Sequence, residues 1–328
     1  MKTKVLLTMG AMMAFAISVM AGPVSKAEAL AQARSFMQSK GIQLTGDLAV
    51  TSGPKRAMAS RDESSCYYIF NNGQNGGFVI VSGDDRTRDI LGYSDTGAMD
   101  MDNLPDNVRY MLDCFESEIN ELDKLGVERS APRRSYGETA TTNPVLPLVT
   151  CKWSQDKPFN NSCPTVNSTR TYAGCVAVAT AQLVYFYRDR MPAKTPVKIP
   201  AYTTTGGISM KEVAAGTAFN WTKMYDEYDG TQTSAQLSAV ANLILYVGKA
   251  LKSNYSTSAT SASMNTIKSA LVNYFKFSPN TSFVSRTSYT SEKWESMVLG
   301  ELEENRPVMY NGVSNKDNHA FLVDGSDG

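Results

Sequence analysis

The sequence predicts an α+β chain built as two units, and three observations carry that expectation. Helix-period and strand-period segments come in blocks rather than alternating one for one, which argues against a doubly wound parallel sheet. A polar, proline-containing stretch, VERSAPRRSYGETATTNPVLP, interrupts the chain after Gly126. The 328 residues exceed what one small hydrophobic core ordinarily serves and suffice for two.

The N-terminus carries Lys2 and Lys4, then an apolar run from Val5 to Met20, then Ala21 before Gly22. A basic start, a short apolar run and a cut before Gly22 predict a signal peptide over residues 1–21. The run is short for a membrane span and no basic stop-transfer cluster follows it. The expectation is therefore an exported chain with no membrane span, destined for the periplasm, the cell surface or the medium. Lysine plus arginine equals aspartate plus glutamate, 32 against 32. That balance gives no electrostatic case for nucleic acid or an anionic membrane as the main partner.

The first unit is predicted over residues 22–126. SKAEALAQARSFMQSKG reads as a helix, with Ser25 and Glu28 as its capping pair and Gly41 as its stop. SCYYIFNN and GGFVIVSGDD read as strands separated by Asn/Gly turn chemistry. LPDNVRYMLDCFESEINELDKLG is an amphipathic helix, with Val108, Met111, Leu112, Phe115, Ile119 and Leu122 on one side. Residues 127–143 form the linker, with Arg129, Arg133 and Arg134 as points for proteolytic maturation.

The second unit is predicted over residues 144–328. It opens on an irregular aromatic segment and continues with the cysteine helix, which ends before Pro192. Helices are expected in SAQLSAVANLILYVGKALKSNY, SASMNTIKSALVNYFKF and the start of SEKWESMVLGELEENRPVMYNGV. The last of these turns into a strand at Pro307, and DNHAFLVDGSDG supplies another.

YAGCVAVATAQLVYFY places Cys175 in the first turn of a helix. Unpaired N–H groups and the positive end of the helix dipole favour a thiolate there. An imidazole would complete the activation, and His319 is the only histidine in the chain. It stands 144 residues after Cys175, at the head of an apolar strand. That separation lies within the range of about 130–150 residues found in papain-like cysteine enzymes. The competing reading is a buried cysteine of no chemical role and a structural histidine. The other four cysteines, Cys66, Cys114, Cys151 and Cys163, allow the disulfides 66–114 and 151–163 or four buried thiols. The scattered spacing does not read as a metal site, and no cofactor is expected.

Three segments in order, WSQDKPFNNSCP, YAGCVAVATAQLVYFY and RPVMYNGVSNKDNHAFLVDGSDG, resemble the streptopain family of secreted bacterial cysteine peptidases, family C10. GGFVIVSGDDRTRDILGYSDTG and LPDNVRYMLDCFESEI resemble the pro-domain of that family. The resemblance covers nearly the whole chain after the leader. It implies a papain-like catalytic domain preceded by a small α+β pro-domain that acts as an intramolecular inhibitor. It also implies that Cys175 is the nucleophile, His319 the base and later acid, and Gln155 the oxyanion-hole donor. Protein or peptide substrates are implied, with an apolar residue near the scissile bond.

One departure is visible. The chain stops at Gly328, nine residues after His319, whereas family members continue with strands bearing an asparagine and tryptophans. Those groups orient and shield the histidine, so the sequence reads either as a fragment of a longer product or as a degenerate, inactive form, and the intact Cys175, His319 and Gln155 favour the fragment. A second function class remains in play, a non-catalytic pro-domain-type inhibitor or binding protein of a related peptidase. A third is another Cys–His acyl-transfer enzyme, because the nucleophilic chemistry is shared.

Overall fold

The structure is a computed structural model that describes residues 22–56, 65–126, 144–313 and 318–326. The leader 1–21 and the linker 127–143, with Arg129, Arg133 and Arg134, lie outside the described residues. The chain divides into two compact units, Met1–Glu138 and Thr139–Gly328.

In the first unit, helix α1 (Lys26–Ser39) starts on a complete capping box formed by Ser25 and Glu28. Four antiparallel strands follow, β1 (Ala49–Ser52), β2 (Tyr67–Asn71), β3 (Phe78–Ser82) and β4 (Ile90–Ser94), paired in chain order. Helix α2 (Asp106–Lys124) closes the unit. Period-2 alternation sorts the side chains of β2 and β3 onto two faces. Tyr68, Phe70, Val79 and Val81 pack on Ala29, Ala33, Phe36 and Met37 of α1. Tyr67, Ile69 and Ile80 pack on Leu112 and Ile119 of α2. A helix on each face explains why both strands read as unbroken apolar runs.

A neutral four-charge network ties the unit together. Arg56 and Arg86 each contact both Asp84 and Asp123, at 2.5 to 2.8 Å, with side chains 0–9% exposed. Arg86 also donates to the carbonyl of Leu122 near the end of α2. Burial alone would raise the Asp123 carboxyl, but hydrogen bonds from Arg56 and Arg86 outweigh it and hold the group below the usual carboxylate range.

The second unit begins with a hairpin of β5 (Thr165–Val166) and β6 (Thr169–Arg170), then helix α3 (Cys175–Phe186). A second hairpin pairs β7 (Tyr202–Thr203) with β8 (Ser209–Met210). Helices α4 (Ser234–Ala250), α5 (Ile267–Phe275) and α6 (Ser291–Glu303) follow, and β9 (Val308–Val313) pairs antiparallel with β10 (Asn318–Val323). Helix α3 is the central element, packed against α4, α5, β9 and β10. Its residues Val176 to Ala181 are all buried, as are Leu183, Val184 and Tyr185. A helix enclosed on all sides needs no polar stripe, and this one has none.

One open alternative is decided and one expectation is corrected. None of the five cysteines forms a disulfide, and Cys66, Cys151 and Cys163 are buried as thiols. The third predicted helix of this unit is shorter than its apolar run. Ser261 pairs with Asn254, a 3-10 turn spans Met264–Thr266, and α5 stops where Lys276 takes φ 60°.

Candidate active site

Cys175 is the first residue of α3, and no side chain caps that helix N-terminus. The residue before it, Gly174, has φ 90° and ψ 132°, a conformation that side chains rarely adopt. A Cβ built on Gly174 would lie 2.8 Å from the Thr260 methyl and 2.9 Å from the Thr260 carbonyl oxygen. Glycine is therefore required twice over, by backbone angle and by close approach.

The loop around Thr260 holds the approach to the cysteine. The Thr260 hydroxyl donates to the Tyr172 carbonyl at 2.7 Å and accepts from the Ser256 N–H at 3.0 Å. The Tyr172 N–H in turn donates to the Ser256 carbonyl at 3.1 Å. Thr260 is buried. Tyr172 and Gly174, just before Cys175, are thus held against a loop some eighty residues further on, and Cys175 itself is half-buried.

Gln155 reaches the same place by a different route. Its carbonyl accepts the Ala173 N–H at 3.1 Å, two residues before Cys175. Two aromatic anchors flank it. Trp153 is buried, packs at a tilt against the Tyr185 ring at 4.8 Å and donates its indole N–H to the Tyr225 carbonyl at 2.9 Å. Phe159 packs edge-on to Tyr228 at 5.4 Å. Gln155 is half-buried between these anchors.

His319 is the second residue of β10, opposite Gly312 of β9, and is half-buried. Its neighbour Ala320 is buried in the core formed with α3, and Leu322 and Met309 pack on that core. The Thr180 hydroxyl of α3 contacts the Met309 sulfur at 3.6 Å. The structure therefore brings the Gln155 segment to the start of α3 and seats the histidine strand against the same helix.

Burial sets three of the other four thiols apart. It pushes the Cys66 thiol up to about 11 and the Cys151 and Cys163 thiols up to about 12, which disfavours the reactive thiolate. Among the described residues, no cluster of three or more His, Cys, Asp or Glu side chains is arranged to hold a metal ion. No described helix is long and apolar enough to cross a membrane.

Sequence reading missed Thr260 and Asp324. Asp324 accepts the Val149 N–H through its carboxylate at 2.8 Å, at the end of β10. Neither residue stands in a local pattern, and each acts on a segment far away in the chain. Only the fold could reveal them.

Comparisons with known proteins bear on the family. Residues 153–328 match the Peptidase C10 family, and residues 21–119 match the Spi protease inhibitor family. Streptopain of Streptococcus pyogenes is 29% identical over 286 residues, covering 80% of this chain and 68% of streptopain. The thiol protease/hemagglutinin PrtT of Porphyromonas gingivalis is 26% identical over 336 residues, covering 98% of this chain and 38% of PrtT. Among solved structures, a Prevotella intermedia prointerpain A fragment superposes with a TM-score of 0.67 at 27% identity, over 84% of this chain and 85% of that one. The active interpain A cysteine protease superposes with a TM-score of 0.51 at 30% identity, over 56% of this chain and 78% of that one. The α+β architecture is that of a papain-like C10 peptidase with a pro-domain. The chain belongs to the peptidase C10 family of cysteine peptidases and carries an inhibitor-type pro-domain ahead of its peptidase domain.

Proposed function

We propose that the chain is the precursor of an exported cysteine endopeptidase that hydrolyses peptide bonds in proteins through Cys175, His319 and Gln155. The observation that carries this is the meeting of both segments on α3. The Gln155 carbonyl binds Ala173, and the strand of the lone histidine packs on the cysteine helix. In this reading the Cys175 thiolate attacks the scissile carbonyl. The resulting oxyanion is held by the Gln155 side-chain amide and the Cys175 N–H, a donor pair of which one member is worth roughly 3 kcal/mol of barrier. The His319 imidazolium then gives its proton to the departing amine. Water, deprotonated by the same imidazole, attacks the thioester and releases the acid.

The organisation proposed is a leader over 1–21, an inhibitory pro-domain over 22–126, a maturation linker over 127–143 and a catalytic domain from 144. The pro-domain would act as an intramolecular inhibitor, and cleavage at the arginine-bearing linker would release the enzyme. The inhibitor-family match would fit a stand-alone inhibitor as well. Its presence in one chain with a C10 domain favours the prosegment.

The test uses the chain without its leader, mild reductant, an iodoacetamide- or E-64-type probe and casein. Labelling and hydrolysis that both vanish in Cys175→Ala and fall at least a hundredfold in His319→Ala are expected. Casein hydrolysis that survives in Cys175→Ala would overturn the assignment.

A further inference from the structure

Among the described residues β10 has one strand partner, β9. Beyond Val323 it is held by something else, the segment that opens the second unit. The Leu148 N–H donates to the Asp324 carbonyl at 2.9 Å. The Val149 N–H donates to the Asp324 carboxylate at 2.8 Å. The Val145 N–H donates to the Ser326 carbonyl at 2.8 Å, and the Ser326 N–H returns to the Val145 carbonyl at 2.9 Å. Backbones meet closely here, since a Cβ on Gly325 would lie 2.9 Å from the Val145 carbonyl oxygen and 3.2 Å from the Pro147 nitrogen.

The same segment then runs on to the other parts of the site. The Cys151 carbonyl accepts the Gln182 side-chain amide of α3 at 3.0 Å. Trp153 is buried in the α3 core, and Gln155 follows it. One continuous stretch, 145–155, thus touches the end of the histidine strand, the cysteine helix and the oxyanion glutamine.

We propose that residues 145–149 and Asp324 form a clasp that positions His319, so that the new N-terminus left by maturation is a working part of the enzyme. The inference rests on the reading of His319 as the base. Asp324 is a positioning residue, acting through β10. A displacement of about 1 Å in a reacting group can lower the rate by about a hundredfold, so the residues that hold the strand of the reacting group matter to the rate. The clasp also fixes where maturation must cut. Cleavage before Val145 keeps all four hydrogen bonds, whereas cleavage inside 145–149 releases the end of β10.

The experiment compares Asp324→Ala, Asp324→Asn and the parent in the leader-free full chain. Asp324→Ala is expected to lower kcat about tenfold or more, leave KM within about twofold, and move the pH profile of Cys175 alkylation. Asp324→Asn, whose amide oxygen can still accept from Val149, is expected within about threefold of the parent. N-terminal sequencing should place the first residue of the active product at or before Val145. Parent-like kcat and pH profile in folded Asp324→Ala would overturn the clasp, as would a fully active product starting after Val145.

Should Asp324→Ala fail to fold, Val145→Pro removes the N–H given to Ser326 while fixing φ at that residue, and about a threefold loss of kcat is expected; no loss overturns the proposal. If the parent neither labels at Cys175 nor hydrolyses casein even after proteolytic cleavage in the 127–143 linker, the catalytic reading has failed. Amide exchange then tests the clasp alone. Protection at Val145, Leu148 and Val149, with β10 protection lost in Asp324→Ala, is expected, and β10 protection retained in that variant refutes it.

Discussion

Thr260 occupies the space into which any side chain on Gly174 would grow, with its methyl 2.8 Å from that position. The loop carrying Thr260 and the residue preceding the cysteine are packed backbone to backbone, so the start of α3 has no freedom to drift.

Gly174→Ala is expected to fold less stably by about 1–3 kcal/mol, through the positive φ and the overlap with Thr260. Alkylation of Cys175 should slow at least tenfold. Adding Thr260→Ser removes the methyl but leaves the carbonyl oxygen at 2.9 Å, so it should not restore the rate. Parent-like alkylation in the single variant would refute the constraint.

Gln155→Ala removes a side chain but leaves the carbonyl that receives the Ala173 N–H. Stability should be nearly unchanged while kcat on a peptide substrate drops about a hundredfold or more. Gln155→Glu should be as poor, since a carboxylate accepts rather than donates. A loss confined to KM would remove Gln155 from the oxyanion hole.

The thiols should sort by burial. At neutral pH a limiting amount of iodoacetamide is expected to modify Cys175 and spare Cys66, Cys151 and Cys163, which burial holds protonated up to about 11 or 12. Peptide mapping by mass spectrometry reads the pattern. Modification of the last three only after denaturation is the expected outcome, and early modification of Cys163 would contradict the packing.

Acid should loosen the first unit. The Asp123 carboxyl sits below its ordinary value in the fold, so on acidification the unfolded chain takes up that proton first. The stability it contributes is complete above the unfolded value of about 3.9 and is lost as the pH falls through the lower folded value. Amide exchange in α2 is the suitable probe, because Trp153, Trp221 and Trp294 all lie in the second unit. Protection should fall steeply below about pH 4. Asp123→Ala should lose about 3–5 kcal/mol at neutral pH, because two buried guanidiniums are then left with one carboxylate. An acid-insensitive α2 would show that the network contributes nothing.

What the sequence revealed depended on how local the physics was. Ser25 and Glu28 announced α1 because a capping box is complete within four residues. The amphipathic spacing of Val108 to Ile119 announced α2 for the same reason. The strands β1 and β4 went unread. Every residue of β4 is half-buried, so no alternation marks it, and the β3–β4 register shifts between Ile80 and Val81. The two-residue hairpins are too short to carry a pattern. At the site, Cys175 was legible as a cysteine after glycine at a helix start, and His319 as the lone imidazole. Thr260, Asp324 and the clasp at Val145 were not, because their partners lie dozens to more than a hundred residues away.

The distance along the chain between α3 and β10 has a consequence in time. A ribosome delivers the N-terminal unit first, and that unit has its own two hydrophobic clusters with which to fold. The cysteine helix emerges next, without its imidazole. On the proposed reading, the thiol can meet its base only when β10 has cleared the exit tunnel and the waiting 145–149 segment has closed on Asp324. During synthesis the nascent peptidase would then be harmless to its maker, because the imidazole is delivered 144 residues after the thiol.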